Sequence, residues 1–330
     1  MLKQYKWPIS VFFVALLVRI LAIFFLLNHN QTDGLVTGDG AQYIEFSKNI
    51  VAGLGYVENT DQGLLPVAYR PPGYPAILAL FQYLGFSLKT VAFFQAIISS
   101  LIPVGILILL PKFIKNLPPL VSKTAALMAA LDPLQIFYSV TFVTETFFSL
   151  AFLGLVFCLL KWRQSMAVKW ILFAGLCLGA SVYLRPVGIY LGAFLAIAML
   201  VFFIAKKNLG LQVIKHLALF LLVFELMLLP WQIRNFKELG DFSFSSLGFV
   251  NFYVYAAPAI LAIQENQPFD NISTRLTDQA KKEAPDKARV ESLKNKDYVL
   301  KQSYNIIEKY PVAYLKAYLL GTNNFLFSGN

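Results

Sequence analysis

Five charged residues stand where chemistry at a membrane face would need them. Asp39 lies between Gly38 and Gly40, Arg70 opens the run Arg70-Pro71-Pro72-Gly73-Tyr74-Pro75, and Glu145, Arg185 and Arg234 sit at the ends of apolar runs. Arginine stays charged and offers a planar fork of donors to a phosphate. A carboxylate can take the proton of an attacking hydroxyl. Ionisable groups at membrane depth are costly and are functional candidates by default. With Asp33, Glu45 and Asp132 on the same side, the set fits a cavity that binds an anionic headgroup and activates a nucleophile.

Each residue also has a plainer reading. Asp39 could cap a helix running from Ala41 to Val51, and Glu145 could open the helix after Thr144. Arg185 and Arg234 could snorkel to the interface, although an outer-side arginine runs against the positive-inside bias. Asp132-Pro133 could merely end a helix. In Arg70–Pro75 two prolines force an extended entry and the third fits a helix start. The run is either a re-entry turn or a rigid turn that holds Arg70 and Tyr74 at a phosphate.

The elements that must position these residues are membrane helices. The chain has 330 residues, 58% hydrophobic and 14% charged, with mean hydropathy +0.62, whereas soluble domains carry roughly 25% charged residues. A helical span needs about 20 mostly apolar residues, and the candidate spans are Trp7–Leu27, Thr90–Leu110, Thr124–Tyr138, Phe142–Leu160, Trp170–Leu184, Val187–Ala205 and Ile214–Trp231. Tyr74–Phe86 is too short to cross and reads as a re-entrant element. The Lys/Arg bias puts Lys3 and Lys6, Lys112 to Lys123, Lys161 to Lys169 and Lys206 to Lys215 inside. Those loops alternate correctly only if Tyr74–Phe86 does not cross. The first run has no small-residue cleavage site and reads as an uncleaved helix.

The expected fold is an all-α polytopic membrane protein, a transmembrane helix bundle with juxtamembrane helices in the first outer loop and an amphipathic helical segment on the outer side. The core covers residues 1–232, with the outer loop 28–73 carrying the chemistry. Residues 233–313 form the outer segment, whose spacing of Val290, Leu293, Val299, Leu300, Ile306 and Ile307 is helical. Residues 314–330 begin a further span in a chain that reads as cut short. The net charge of +10 reflects this topology and does not call for a nucleic-acid partner. Cys158 and Cys177 both fall in apolar runs and read as core residues. With His29 and His216 far apart and no glycine-rich phosphate loop, no cofactor is required by the pattern. A divalent metal has no support in it.

In chain order these residues resemble the polytopic C-superfamily glycosyltransferases, near the bacterial branch of the protein O-mannosyltransferase and aminoarabinose transferase group. Gly38-Asp39-Gly40-Ala41-Gln42-Tyr43, on to Gly53, Gly55 and Tyr56, is similar to the family's first outer loop. Tyr69-Arg70-Pro71-Pro72-Gly73-Tyr74-Pro75 resembles its YRPPGYP turn. Pro133 through Tyr138 to Thr144-Glu145, Leu184-Arg185-Pro186, Pro230-Trp231-Gln232-Ile233-Arg234-Asn235, Ser245 to Asn251, and Tyr310-Pro311 with Tyr314-Leu315 resemble later motifs. The resemblance implies sugar transfer from a polyprenyl-phosphate donor to a lipid, glycan or protein acceptor, with inversion. It implies an integral protein of the bacterial cytoplasmic membrane whose site faces outward. Asp39 matches the catalytic aspartate and is expected as general base; Gly40 stands where many relatives carry glutamate. Arg70, Arg185 and Arg234 are expected on the donor phosphate. Tyr43, Tyr74, Tyr138, Glu145 and Asn235 are expected to orient sugar or acceptor. The same arginines would serve a transporter or flippase of lipid-linked sugars, and the spans would serve a non-catalytic scaffold subunit. The charges gather at one face, not at the midplane where transporters place them, and that favours transfer.

Overall fold

The computed structural model describes residues 6–30, 34–207 and 210–327. Lys3 and Asp33 lie outside the described residues. Its elements are α1 (Lys6–Asn30), α2 (Gly40–Val51), β1 (Val57–Thr60), β2 (Gly63–Pro66), α3 (Gly73–Tyr83), α4 (Leu88–Ser99), α5 (Leu101–Phe113), α6 (Pro119–Leu131), α7 (Pro133–Val140), α8 (Glu145–Ser165), α9 (Val168–Leu184), α10 (Gly188–Ala205), α11 (Leu211–Leu239), α12 (Leu247–Asn251), α13 (Ala257–Glu265), α14 (Phe269–Glu283), α15 (Lys296–Lys309) and α16 (Pro311–Phe327). A π-helical turn, Phe252–Ala256, joins α12 to α13.

This is an all-α polytopic membrane protein. Among the described residues six helices are long and apolar enough to cross a membrane, or seven if α6 and α7 form one span bent by 51°. They include α1, the broken helix α4–α5, α8, α10 and α11, while α9 is a shorter apolar helix. The span read from sequence as Thr124–Tyr138 is the bent pair. Asp132 stands at the bend as N-cap of α7: its Oδ1 accepts the Gln135 amide at 3.0 Å, and Pro133 follows at the first helical position. The short run after the proline turn is α3, of 11 residues, or ~16 Å at 1.5 Å per residue against a hydrocarbon core of ~30 Å.

Two features depart from the sequence reading. The outer loop contains a two-stranded sheet, β1–β2, whose turn uses Gly63 at φ +99°. Leu247–Glu265, expected in the outer segment, is itself long and apolar enough to span. Asn251 breaks the run in the sequence, and Asn266 follows its end as the C-cap.

The chain divides into two compact units. One comprises 1–58 and 71–229, the other 59–70 and 230–330. The first has a core that includes Ile23, Leu35, Tyr43, Tyr74, Val91 and Phe142. The second is built on Tyr253, Ile272, Leu276, Ala280, Leu293 and Val299. This core joins α13 to the buried stripes of α14 and α15, whose polar faces remain exposed.

Within the first unit, Arg19 is 1% exposed in the middle of an apolar helix. Its Nε donates to Ser99 Oγ at 2.8 Å, and its Nη1 donates to the carbonyls of Ala15 at 3.0 Å and Ala130 at 3.2 Å. Ser99, at the end of α4, accepts through its hydroxyl, and Ala130 precedes the α6–α7 bend, where a broken helix leaves carbonyls without their usual amide. Arg19→Met should destabilise the protein by roughly 2–3 kcal/mol, the range for a charged hydrogen-bond donor removed from buried acceptors. Thermal unfolding in detergent checks this. A midpoint lowered by several degrees is expected, with part of the loss restored by Arg19→Lys.

Candidate active site

In the first unit the outer loop is clamped to the segment between α7 and α8. The Phe142 amide donates to Leu35 O at 3.1 Å. A Cβ on Gly40 would come within 3.0 Å of Phe142 O, so glycine at 40 allows a close approach that glutamate would crowd. Gly38 adopts φ +50° and turns the chain into α2. Asp39 follows, half-buried, at the N-cap position of α2, and its side chain makes no capping hydrogen bond. The plain reading of Asp39 as a side-chain cap therefore does not describe it.

The clamp is braced from below. Tyr74 is fully buried at the start of α3 and its hydroxyl hydrogen-bonds Gln95 Oε1, while Gln95 Nε2 donates to Thr141 O at 2.9 Å. The rings of Tyr43 and Tyr74 meet edge to face at 5.3 Å, and Phe147 lies 5.9 Å from Tyr74. Three residues beyond Phe142, Glu145 begins α8 and pairs with Arg185, Oε1 to Nη1 at 3.0 Å. Arg185 caps α9, is exposed, and lies 5.9 Å above the Phe148 ring. Gly73 packs against the carbonyl of Tyr183, two residues before Arg185. The first unit thus brings together Asp39, Tyr43, Tyr74, Glu145 and Arg185 through one continuous set of contacts. Tyr138 stands half-buried on α7 beside Phe137. Next to it an apolar groove of about 420 Å³ runs between α1 and α7, lined by Ala22, Phe25, Leu26, Ile136, Phe137 and Val140 among others.

In the second unit four successive carbonyls ahead of Arg70 are each bound. Pro66 O accepts from Arg289 Nη2 at 2.7 Å, Val67 O from Arg234 Nη1 at 2.6 Å, Ala68 O from the Ser246 amide at 3.2 Å, and Tyr69 O from Ser245 Oγ at 2.9 Å. This anchored segment fixes the backbone that leads into Arg70, whose guanidinium lies 4.3 Å over the Tyr69 ring. Arg234 lies 4.8 Å over Trp231. Asn235 is 0% exposed, and its Nδ2 donates to the carbonyls of Ser243 at 2.9 Å and Phe244 at 3.1 Å. The same turn is held by Asp241, which accepts the Ser243 amide at 2.6 Å and pairs with Lys296 at 3.0 Å. Burial raises this carboxyl, but the hydrogen bonds of Ser243 and the charge of Lys296 outweigh it and hold the acid below its ordinary value.

Gln95, Thr141 and Arg289 carry no signal in the sequence, and Ser245 and Ser246 stand out there only as the start of a motif; all five gain their roles from partners distant in the chain. Arg19 and Glu225, an exposed carboxylate midway along α11, had a visible signal: a charge inside an apolar run. Among the described residues no group of three or more His, Cys, Asp or Glu is placed to hold a metal ion.

A sequence model of the dolichyl-phosphate-mannose-protein mannosyltransferase family matches residues 69–232. Over that stretch the chain belongs to this family. The match includes Arg70, Tyr74, Tyr138, Glu145 and Arg185, and leaves Asp39, Tyr43, Arg234 and Asn235 outside it. No curated protein matches the chain. Membership in the mannosyltransferase family, together with the apolar helices, makes the protein an integral membrane glycosyltransferase of mannosyltransferase-like type.

Proposed function

We propose that this glycosyltransferase moves a sugar from a polyprenyl-phosphate donor to an acceptor hydroxyl at the outer face of a bacterial cytoplasmic membrane. The observation that carries the reading is the clamp: Asp39, a half-buried carboxylate at the start of α2, stands on a loop hydrogen-bonded to the segment that leads into the Glu145–Arg185 pair. In the reaction the acceptor oxygen bonds to the anomeric carbon as the carbon–oxygen bond to phosphate breaks. The electron pair leaves with the polyprenyl phosphate, the hydroxyl proton passes to Asp39, and configuration inverts. Polyprenyl phosphate is a good leaving group, so the demand falls on neutralising its charge and on deprotonating the acceptor.

Arg70, Arg185 and Arg234 are the proposed phosphate ligands. Glu145 orients Arg185, Asn235 holds the turn that follows Arg234, and buried Tyr74 positions the Thr141–Glu145 segment. Tyr138 is left to face sugar or acceptor, and buried Tyr43 backs the site through its ring contact with Tyr74. The groove between α1 and α7 suits the isoprenoid tail, being apolar along its length.

The test is transfer by the purified chain from radiolabelled polyprenyl-phosphate mannose. Arg70→Ala should lower kcat/KM by ~10²–10³, the range for losing one preorganised donor to transition-state charge, and Arg70→Lys should recover part of it. Unchanged turnover in Arg70→Ala sinks the phosphate assignment. Donor binding or movement without transfer, with any lipid-phosphate sugar, sinks the enzymatic reading in favour of a carrier.

A further inference from the structure

A second groove lies in the first unit, away from the proposed site, where α5, α8 and α10 end. It measures about 320 Å³ and is lined by Val156, Leu159, Leu195, Ala198, Met199, Phe202 and other apolar residues, with Arg163 as its single charged wall residue. Trp162 also lines it, but its indole N–H turns away to donate to His216 Nδ1 at 2.9 Å, so the polar chemistry of the groove rests on Arg163. Two further cations flank the same end. Lys112 and Lys161 stand 5.8 and 5.9 Å from the Phe157 ring, on the neighbouring face of α8 that meets Trp170 of α9.

The occupant must therefore be apolar along most of its length and anionic at one end. A soluble anion would meet apolar walls, and a neutral lipid would leave Arg163 without a counter-charge. We propose that this groove is a binding site for an anionic phospholipid of the adjoining leaflet, with one acyl chain between α8 and α10 and its phosphate against Arg163. The volume is at the low end of ligand pockets and suits a chain better than a headgroup.

The energetics place selectivity in the headgroup. In a bilayer an acyl chain gains little by leaving other chains for an apolar groove, because lipid tails are as apolar as leucine. Each basic side chain near the surface contributes a factor of roughly five for an anionic over a neutral lipid. Three cations would give a factor of ~100, but three helix C-termini converge there and each carries about half a negative charge, which removes roughly half of the attraction. A preference of about tenfold remains.

Native mass spectrometry of the full chain, released from nanodiscs of equal phosphatidylglycerol and phosphatidylcholine, reads this directly. The wild-type chain should retain phosphatidylglycerol with about tenfold preference. Arg163→Gln should cut the preference about fivefold, and Ala198→Phe, which puts a ring into the groove from its wall, should remove the retained lipid while leaving all three cations. If Ala198→Phe folds and retains phosphatidylglycerol as before, the cations only complement helix ends and the site does not exist. If Ala198→Phe does not fold, Arg163→Gln decides, since the exposed arginine can be replaced without touching the core. An unchanged preference in that variant overturns the proposal.

Discussion

Asp39→Asn should abolish sugar transfer while leaving donor binding within about twofold. General-base catalysis contributes typically 10²–10⁴-fold, and an amide of the same shape cannot accept the acceptor's proton. The loop around residue 39 owes its form to other groups. Gly38 supplies the left-handed turn at φ +50°, the Phe142 amide binds Leu35 O, and Gly40 allows the approach to Phe142 O. None of these uses the carboxylate, and asparagine keeps the shape and one accepting oxygen of aspartate, so the variant should fold. Turnover and equilibrium donor binding, measured on the same preparation, separate the outcomes. Full activity in the asparagine variant removes Asp39 from the chemistry. Loss of binding together with turnover makes it a structural or donor-binding residue.

The second large effect is structural in origin. A Cβ at position 73 would lie 2.4 Å from the Tyr183 carbonyl oxygen and 2.8 Å from its carbon, well inside van der Waals contact. Both obstacles are backbone, so no rotamer change relieves them. Gly73→Ala must push the start of α3 away from the end of α9, moving Tyr74 on one side and the backbone leading to Arg185 on the other. A misplacement of about 1 Å can cost ~10²-fold in rate, and transfer should fall by that order together with the thermal midpoint. Gly321→Ala is the matched control: its added methyl meets nothing within 4 Å, and alanine is the better helix former by ~1 kcal/mol. Wild-type transfer by a folded Gly73→Ala would show that the close packing of α3 on α9 is not needed for catalysis.

The sequence by itself determined the class of the protein. The apolar runs are long, and a chain in lipid must satisfy its backbone within helices, so the length of each run implied its structure. One deviation is also legible: α3 is too short to cross. Asp132-Pro133 by itself says only that a helix could end there, and that it bends a run of two helices by 51° is seen in the structure. The identity of Arg70, Tyr74, Glu145 and Arg185 as candidates was legible too, because charge and proline at span ends are unusual enough to stand out.

What tertiary structure alone decided is how those residues are held. That Glu145 pairs with Arg185, 40 residues away, depends on where two helices end relative to one another. The Tyr74–Gln95–Thr141 relay depends on two side chains and the backbone carbonyl of Thr141, from three separate stretches of chain, and each residue alone reads as an ordinary polar position. Asn235 was expected at substrate because it follows Arg234 in a motif, yet its amide turns inward to two carbonyls of its own turn. Periodicity tells which face of a helix is apolar, but not which polar groups from distant segments arrive there. Hydrogen bonds between segments more than a hundred residues apart, such as Arg234 to Val67, are fixed only when the chain packs.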